Sequence, residues 1–151
     1  MYAALTITVA VLTLATAAAV LILRNLRSGQ AAGLDVVLER GPDGEVVVPI
    51  RGLFKGGAKN NLRPFLAITP GGLRFRILLE ERWTFAELAR VDAGPALFGA
   101  SLEFRSRTRG VLSVSLAGLH IARQVLQALP QSVETTPRAA ALRDEGVASR
   151  P

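Results

Sequence analysis

The stretch Leu102–Pro130, LEFRSRTRGVLSVSLAGLHIARQVLQALP, carries two apolar periods side by side, and the change between them decides the fold. Leu102 and Phe104, then Leu112, Val114 and Leu116, alternate with Glu103, Arg105, Ser113 and Ser115. A period of two sends alternate side chains to opposite faces of a strand. Arg107-Thr108-Arg109-Gly110 interrupts the pattern with turn chemistry. The segment therefore predicts an antiparallel hairpin with one buried face and one solvated face. Beyond it, Leu119, Ala122, Val125, Leu126 and Leu129 recur at spacings of three and four, opposed by His120, Arg123, Gln124 and Gln127. That is an amphipathic helix, and Pro130 ends it.

Upstream, the period of two returns. Phe65–Thr69 and Leu73–Leu79 flank Pro70-Gly71-Gly72, a tight-turn sequence. In the second of these strands Leu73, Phe75, Ile77 and Leu79 share the expected core face, with Arg74 and Arg76 opposite. Between the two hairpins, residues 82–93 (RWTFAELARVDA) predict a strand through Phe85, one helical turn and a short strand around Val91. The turn follows from the capping-box spacing of Thr84 and Glu87. Gly94–Gly99 reads as a turn. Towards the N-terminus, Leu34, Val36 and Leu38 alternate with Asp35, Val37 and Glu39, and Gly41-Pro42-Asp43-Gly44 predicts a turn into EVVVPI, residues 45–50. Pro49 places that second strand at an edge or ends it there. Arg51–Pro64 (RGLFKGGAKNNLRP) shows no period and is expected to be a loop. Residues 131–151 are polar without an apolar period and are expected to form a disordered tail.

The expected architecture is mainly β: about seven antiparallel strands closed into a barrel-like sheet system, with one C-terminal α-helix capping an end. The successive stretches LAITPGGLRFRI, WTFAELARVDA, LEFRSRTRGVLSVSL and AGLHIARQVLQALP resemble a bacterial pleckstrin-homology-like domain of the kind tethered to transmembrane helices, over residues 34–130. The resemblance implies a barrel-plus-helix fold and a binding or scaffolding role. It carries over no catalytic residue and no ligand motif.

The N-terminus reads differently. Residues 2–23 (YAALTITVAVLTLATAAAVLIL) hold no charge, no Gly and no Pro, and include ten large aliphatic residues. As a helix this run spans roughly 33 Å, about the hydrocarbon thickness of a bilayer. A cleaved signal peptide needs a basic segment before the apolar one and a shorter apolar run. Here the cations, Arg24 and Arg27, follow it. Residues 1–23 are thus expected to be a transmembrane anchor and 24–33 a juxtamembrane linker. The positive-inside bias puts the N-terminus outside and the domain on the cytoplasmic face of the plasma (inner) membrane.

The remaining composition narrows the chemistry. The chain has no Cys, one His and a formal net charge of +6, so thiol chemistry, disulfides and clustered-imidazole sites are not expected. His120 is expected on the solvated face of its helix, with no carboxylate at helical spacing. No phosphate-binding loop is present, since Gly56-Gly57 lacks the Gly-Lys-Ser/Thr ending. Neither an enzyme nor a cofactor or metal site is expected. Nucleic-acid binding is not expected either, because Phe54 is the only aromatic in the basic segment. The candidate anion- or lipid-binding residues are Arg51, Lys55, Lys59 and Arg63, a run free of acids beside flexible glycines and the amides of Asn60 and Asn61. Leu53 and Phe54 either dip into a membrane interface or face the core. The expected partners are the membrane, another membrane protein and, as the alternative, anionic lipid. Trp83 is expected in the core.

Overall fold

The computed structural model describes residues 37–96 and 99–145. All of them belong to the unit Gly33–Pro151. The anchor of residues 1–23, the linker with Arg24 and Arg27, and residues 146–151 lie outside the described residues. None of the described helices is long and apolar enough to cross a membrane.

Nine strands, two α-helices and one 3-10 turn follow in order among the described residues. The strands are β1 (Val46–Val48), β2 (Ile50–Lys55), β3 (Ala58–Asn60), β4 (Phe65–Thr69) and β5 (Gly72–Arg76). Then come β6 (Glu80–Thr84), the 3-10 turn Phe85–Glu87, β7 (Leu88–Ala96), β8 (Gly99–Ser106) and β9 (Val111–Leu116). Helices α1 (Leu119–Ala128) and α2 (Pro137–Asp144) close the sequence. Two antiparallel sheets result, one of four strands in the order β1-β4-β5-β6 and one of five in the order β3-β2-β9-β8-β7. Their inner faces and α1 enclose one core, in which Trp83, Phe75, Phe104, Leu66, Leu102, Leu112, Leu116, Ile121 and Leu126 are fully buried.

Pro49 is the pivot of this arrangement. β1 ends immediately before it at the edge of the first sheet, and β2 begins immediately after it inside the second. Proline has no N–H to give a ladder, so the chain changes sheets where the ladder is already interrupted. The hairpins at residues 65–76 and 99–116 form with the registers that alternation demands, for example Leu66 opposite Phe75 and Leu102 opposite Val114. The capping box also forms. Thr84 N–H donates to Glu87 Oε2 at 2.7 Å and Glu87 N–H donates to Thr84 Oγ1 at 3.3 Å; the first bond, with the Thr84 hydroxyl donating to the same Oε2 at 3.1 Å, holds the Glu87 carboxyl below its ordinary pKa.

Five expectations are corrected. Arg51–Pro64 is no loop: β2 and β3 pair as a hairpin across Gly56-Gly57, whose φ angles of 56° and 88° make the tight turn that glycines allow. The irregularity between Ile50 and Gly52 breaks the alternation, which hides β2 from a period-two reading. Residues 37–39 form no strand, and among the described residues the first hairpin is one bridge between Arg40 and Val46. β7 runs on through Gly94 and Pro95 to Ala96, which stands opposite Gly99 of β8, where a turn was expected from Gly94 onward. On α1, Leu119 is 54% exposed and Ile121 is 1% exposed, so the buried stripe is Ile121, Ala122, Val125 and Leu126. Finally, residues 133–144 are ordered against the sheet. Val133 and Ala139 are buried, Thr136 caps α2, and Val91 exchanges backbone bonds with Glu134 (2.8 Å) and Thr136 (2.9 Å).

This C-terminal strap protects an edge. Val91 of β7 uses both its N–H and its C=O on the strap. Ala93 N–H is taken by its neighbour's carboxylate, Asp92 Oδ1, at 2.8 Å, and Pro95 has no N–H to offer. Thr136 Oγ1 donates to the same carboxylate oxygen at 2.6 Å, which with the Ala93 bond holds the Asp92 carboxyl below its ordinary range. On β6 the Arg109 guanidinium caps the Arg82 carbonyl at 3.0 Å. β1 and β3 have three residues each.

Candidate functional site

The four cations singled out from sequence do not share one loop. Lys55 ends β2 on its inward side, where its ammonium pairs with Glu81 of β6 and lies 5.8 Å and 5.4 Å from the ring centres of Phe75 and Trp83. The two rings meet edge to face, 5.2 Å apart at 87°. Arg51 sits at the irregularity of β2, Lys59 in the middle of β3 and Arg63 in the turn before β4. Arg51, Lys59 and Arg63 are exposed. The same alternation sorts the two apolar residues of β2: Leu53 is core, whereas Phe54 faces out opposite Lys59 and Ser113.

Asn60 organises this end of the molecule. Its Oδ1 accepts from the N–H groups of Leu62 and Arg63, both at 3.2 Å. Its Nδ2 donates to the carbonyls of Arg63 (3.2 Å), Arg76 (3.2 Å) and Ile77 (3.0 Å). One side chain thus ties the turn before β4 to the turn between β5 and β6. Its donors are occupied by backbone, so Asn60 offers none to a phosphate. With its amide oxygen and nitrogen exchanged, the orientation that satisfies both atoms, Asn61 accepts from Lys59 Nζ at 3.2 Å and donates to the Asn60 carbonyl at 3.2 Å.

From these two tied turns project Leu62, Leu78 and Leu79, exposed by 96%, 81% and 79%. Leu79 was expected on the core face; the strand ends at Arg76, so the alternation that would bury it stops first. Burying a leucine side chain is worth about 1.5–3 kcal/mol, a gain this fold forgoes three times at one tip. Contiguous exposed apolar side chains rimmed by polar ones mark contact surfaces. Here the rim is basic. Lys59, Arg63 and Arg76 surround Asn60 in the chain or through its hydrogen bonds, and among the described residues none of the three forms an ion pair. The nearby acids are engaged: Glu81 with Lys55, and Glu80 with Arg74 at 3.7 Å and Arg82 at 3.6 Å. The leucines were legible as a break in period, since Leu78-Leu79 are adjacent apolar residues before Glu80-Glu81.

The outward arginines do not form one positive face. Arg74 pairs with Glu45 and stacks 5.1 Å from the Phe65 ring, and Arg109 pairs with Glu87 at 3.1 Å. Arg105 stands opposite Arg90, and Glu103 opposite Asp92. His120 is half-buried, and its Nε2 is buried without a hydrogen-bond partner among the described residues, contrary to the solvated position expected. Among the described residues no group of acids and imidazole could hold a metal ion. At another part of the surface, a cleft of about 350 Å³ lies between the end of β7, the start of α1 and α2. Leu119, Leu142 and Ala141 line it, with Arg138 and Glu145 also on its wall.

No family model matches the sequence, and no curated protein matches it. Among solved structures, "Structure of the Spt16D Pob3N heterodimer" is similar with a TM-score of 0.42 at 13% identity, covering 58% of this chain and 51% of that chain. The chain thus spans about half of that structure's length, and similarity at this level transfers neither ligand nor partner.

Proposed function

We propose that this protein is a membrane-anchored, non-catalytic interaction module of the pleckstrin-homology-like type. In this reading its cytoplasmic domain rests on the anionic bilayer surface through the leucine tip. One observation carries it: Leu62, Leu78 and Leu79 stand exposed on two turns tied together by Asn60, beside Lys59, Arg63 and Arg76, which form no ion pair among the described residues. Apolar side chains that enter an interface gain by burial, and each basic residue near an anionic leaflet adds about 1 kcal/mol. The apolar run 2–23, with Arg24 and Arg27 after it, supports the anchor. Strand addition by a partner is less favoured, because the sheet edges are short or already covered.

The test uses the absence of cysteine, which makes a single introduced thiol unique. The full chain carrying Leu78→Cys, labelled with an environment-sensitive dye, is reconstituted in vesicles of phosphatidylcholine with and without phosphatidylglycerol. The emission is expected to shift blue only with the acidic lipid, and the shift should fade as salt rises. Leu62→Ser with Leu79→Ser, or Lys59→Ser with Arg63→Ser, should abolish it. Identical emission on neutral and acidic vesicles at low salt sinks the lipid reading.

A second reading rests on the cleft beside Leu119: a neighbouring membrane protein places an apolar side chain there. Leu119→Arg should then break co-purification with that partner from detergent, while the dye response at position 78 stays unchanged.

A further inference from the structure

The Lys55–Glu81 pair does more than close the end of the sheet system. β2 belongs to one sheet and β6 to the other, so the pair spans the mouth between them. Beneath it lie the fully buried rings of Phe75 and Trp83. The side chains of Lys55 and Glu81 keep 21% and 34% of their surface, so the pair is reached from solvent. Beside it, the Gly56-Gly57 turn has open space above both α-carbons. An ammonium at this place, stacked on aromatic rings and next to an open glycine turn, has the surroundings of a phosphate contact, except that a carboxylate already holds it.

We propose that Glu81 sets the ligand class of the tip by withholding Lys55 from it. With the pair intact, the mouth carries no net charge, and its carboxylate repels a multiply charged phosphate that approaches the ammonium. The rim then meets anionic lipid as a diffuse surface through Lys59, Arg63 and Arg76, without selecting any one headgroup. Remove the charge of Glu81 and Lys55 joins them as a fourth cation, set deeper than the rest and able to favour a headgroup that carries several phosphates. This inference rests on the bilayer-docking reading above and names what that docking ignores.

The deciding experiment uses the dye-labelled full chain and three vesicle types: phosphatidylcholine alone, with phosphatidylserine, and with phosphatidylinositol bisphosphate at matched total negative charge. Wild type is expected to respond equally to the two acidic types. Glu81→Gln, which keeps an oxygen for the Lys55 hydrogen bond, should favour the bisphosphate vesicles roughly fivefold, the effect of one added basic residue near the surface. Glu81→Gln with Lys55→Gln should lose the preference, and Lys55→Arg, which keeps the pair, should match wild type. Soluble inositol trisphosphate should compete with Glu81→Gln and leave wild type alone if the contact is to the phosphates themselves. Equal responses of Glu81→Gln and wild type, at unchanged melting temperature, overturn the inference. So does a wild type that already prefers the bisphosphate. A wild type that responds to neither acidic vesicle removes the docking reading itself, an outcome distinct from both.

Discussion

Gly72 shows how much of this fold hangs on single atoms. It begins β5 beneath β6, and a β-carbon there would stand 2.0 Å from the Trp83 carbonyl oxygen and 2.8 Å from the Thr84 α-carbon. Backbone cannot yield as a side chain does. Gly72→Ala is therefore expected to lower stability by about 2–4 kcal/mol, by parting two strands of the first sheet. Gly71→Ala, one position earlier with open space above it, should melt with wild type. Thermal unfolding of the two variants checks this, and equal melting temperatures would mean that β5 and β6 do not approach as described. Asn60 makes the complementary point: from sequence it was one of two candidate phosphate donors, and in the fold its hydrogen bonds are spent on the backbone of two turns.

At the level of elements, α1 separates what a period can and cannot tell. The spacing of apolar residues established that a helix begins near Leu119 and ends at Pro130, but the stripe drawn from it was rotated at its first turn. Leu119 begins the helix half exposed on the wall of the cleft beside the end of β7, while Ile121 is buried in the core. Ile121→Ala is expected to cost about 2–4 kcal/mol, and Leu119→Ala little. Chemical denaturation distinguishes them, and the reverse order would put the helix in a different rotation. The strap of residues 133–144 was not legible, because it is held by bonds that have no sequence period. Arg123 donates to the Leu142 carbonyl at 3.2 Å and pairs with Glu145 at 2.7 Å, and Arg143 donates to the Leu129 carbonyl at 2.9 Å. β2 and β3 were missed for a related reason: the irregularity at Arg51 erased the alternation, although Gly56-Gly57 was a legible hairpin turn.

On the scale of the whole molecule, the proposed anchor raises the question of which side of a membrane the domain would occupy. Arg24 and Arg27 follow the apolar run, so in the anchored reading residues 24–151 are predicted to face the cytoplasm. A periplasmic reporter fused after Arg27 should be inactive, and protease added outside intact cells should leave the domain whole. An active reporter would reverse the orientation and remove the anionic cytoplasmic leaflet as the surface for the tip. Within the domain, the strands of periodic alternation, the capping box, the break at Pro49 and the helix ended by Pro130 were determined by sequence alone, because each is a local preference written within a few residues. Which strands neighbour each other, and therefore where Lys55 meets Glu81 and where Asn60 ties the turn of Leu62 to that of Leu78 and Leu79, was decided only by tertiary structure. Those partners lie far apart along the chain, and no period or turn preference reaches across the two sheets that bring them together.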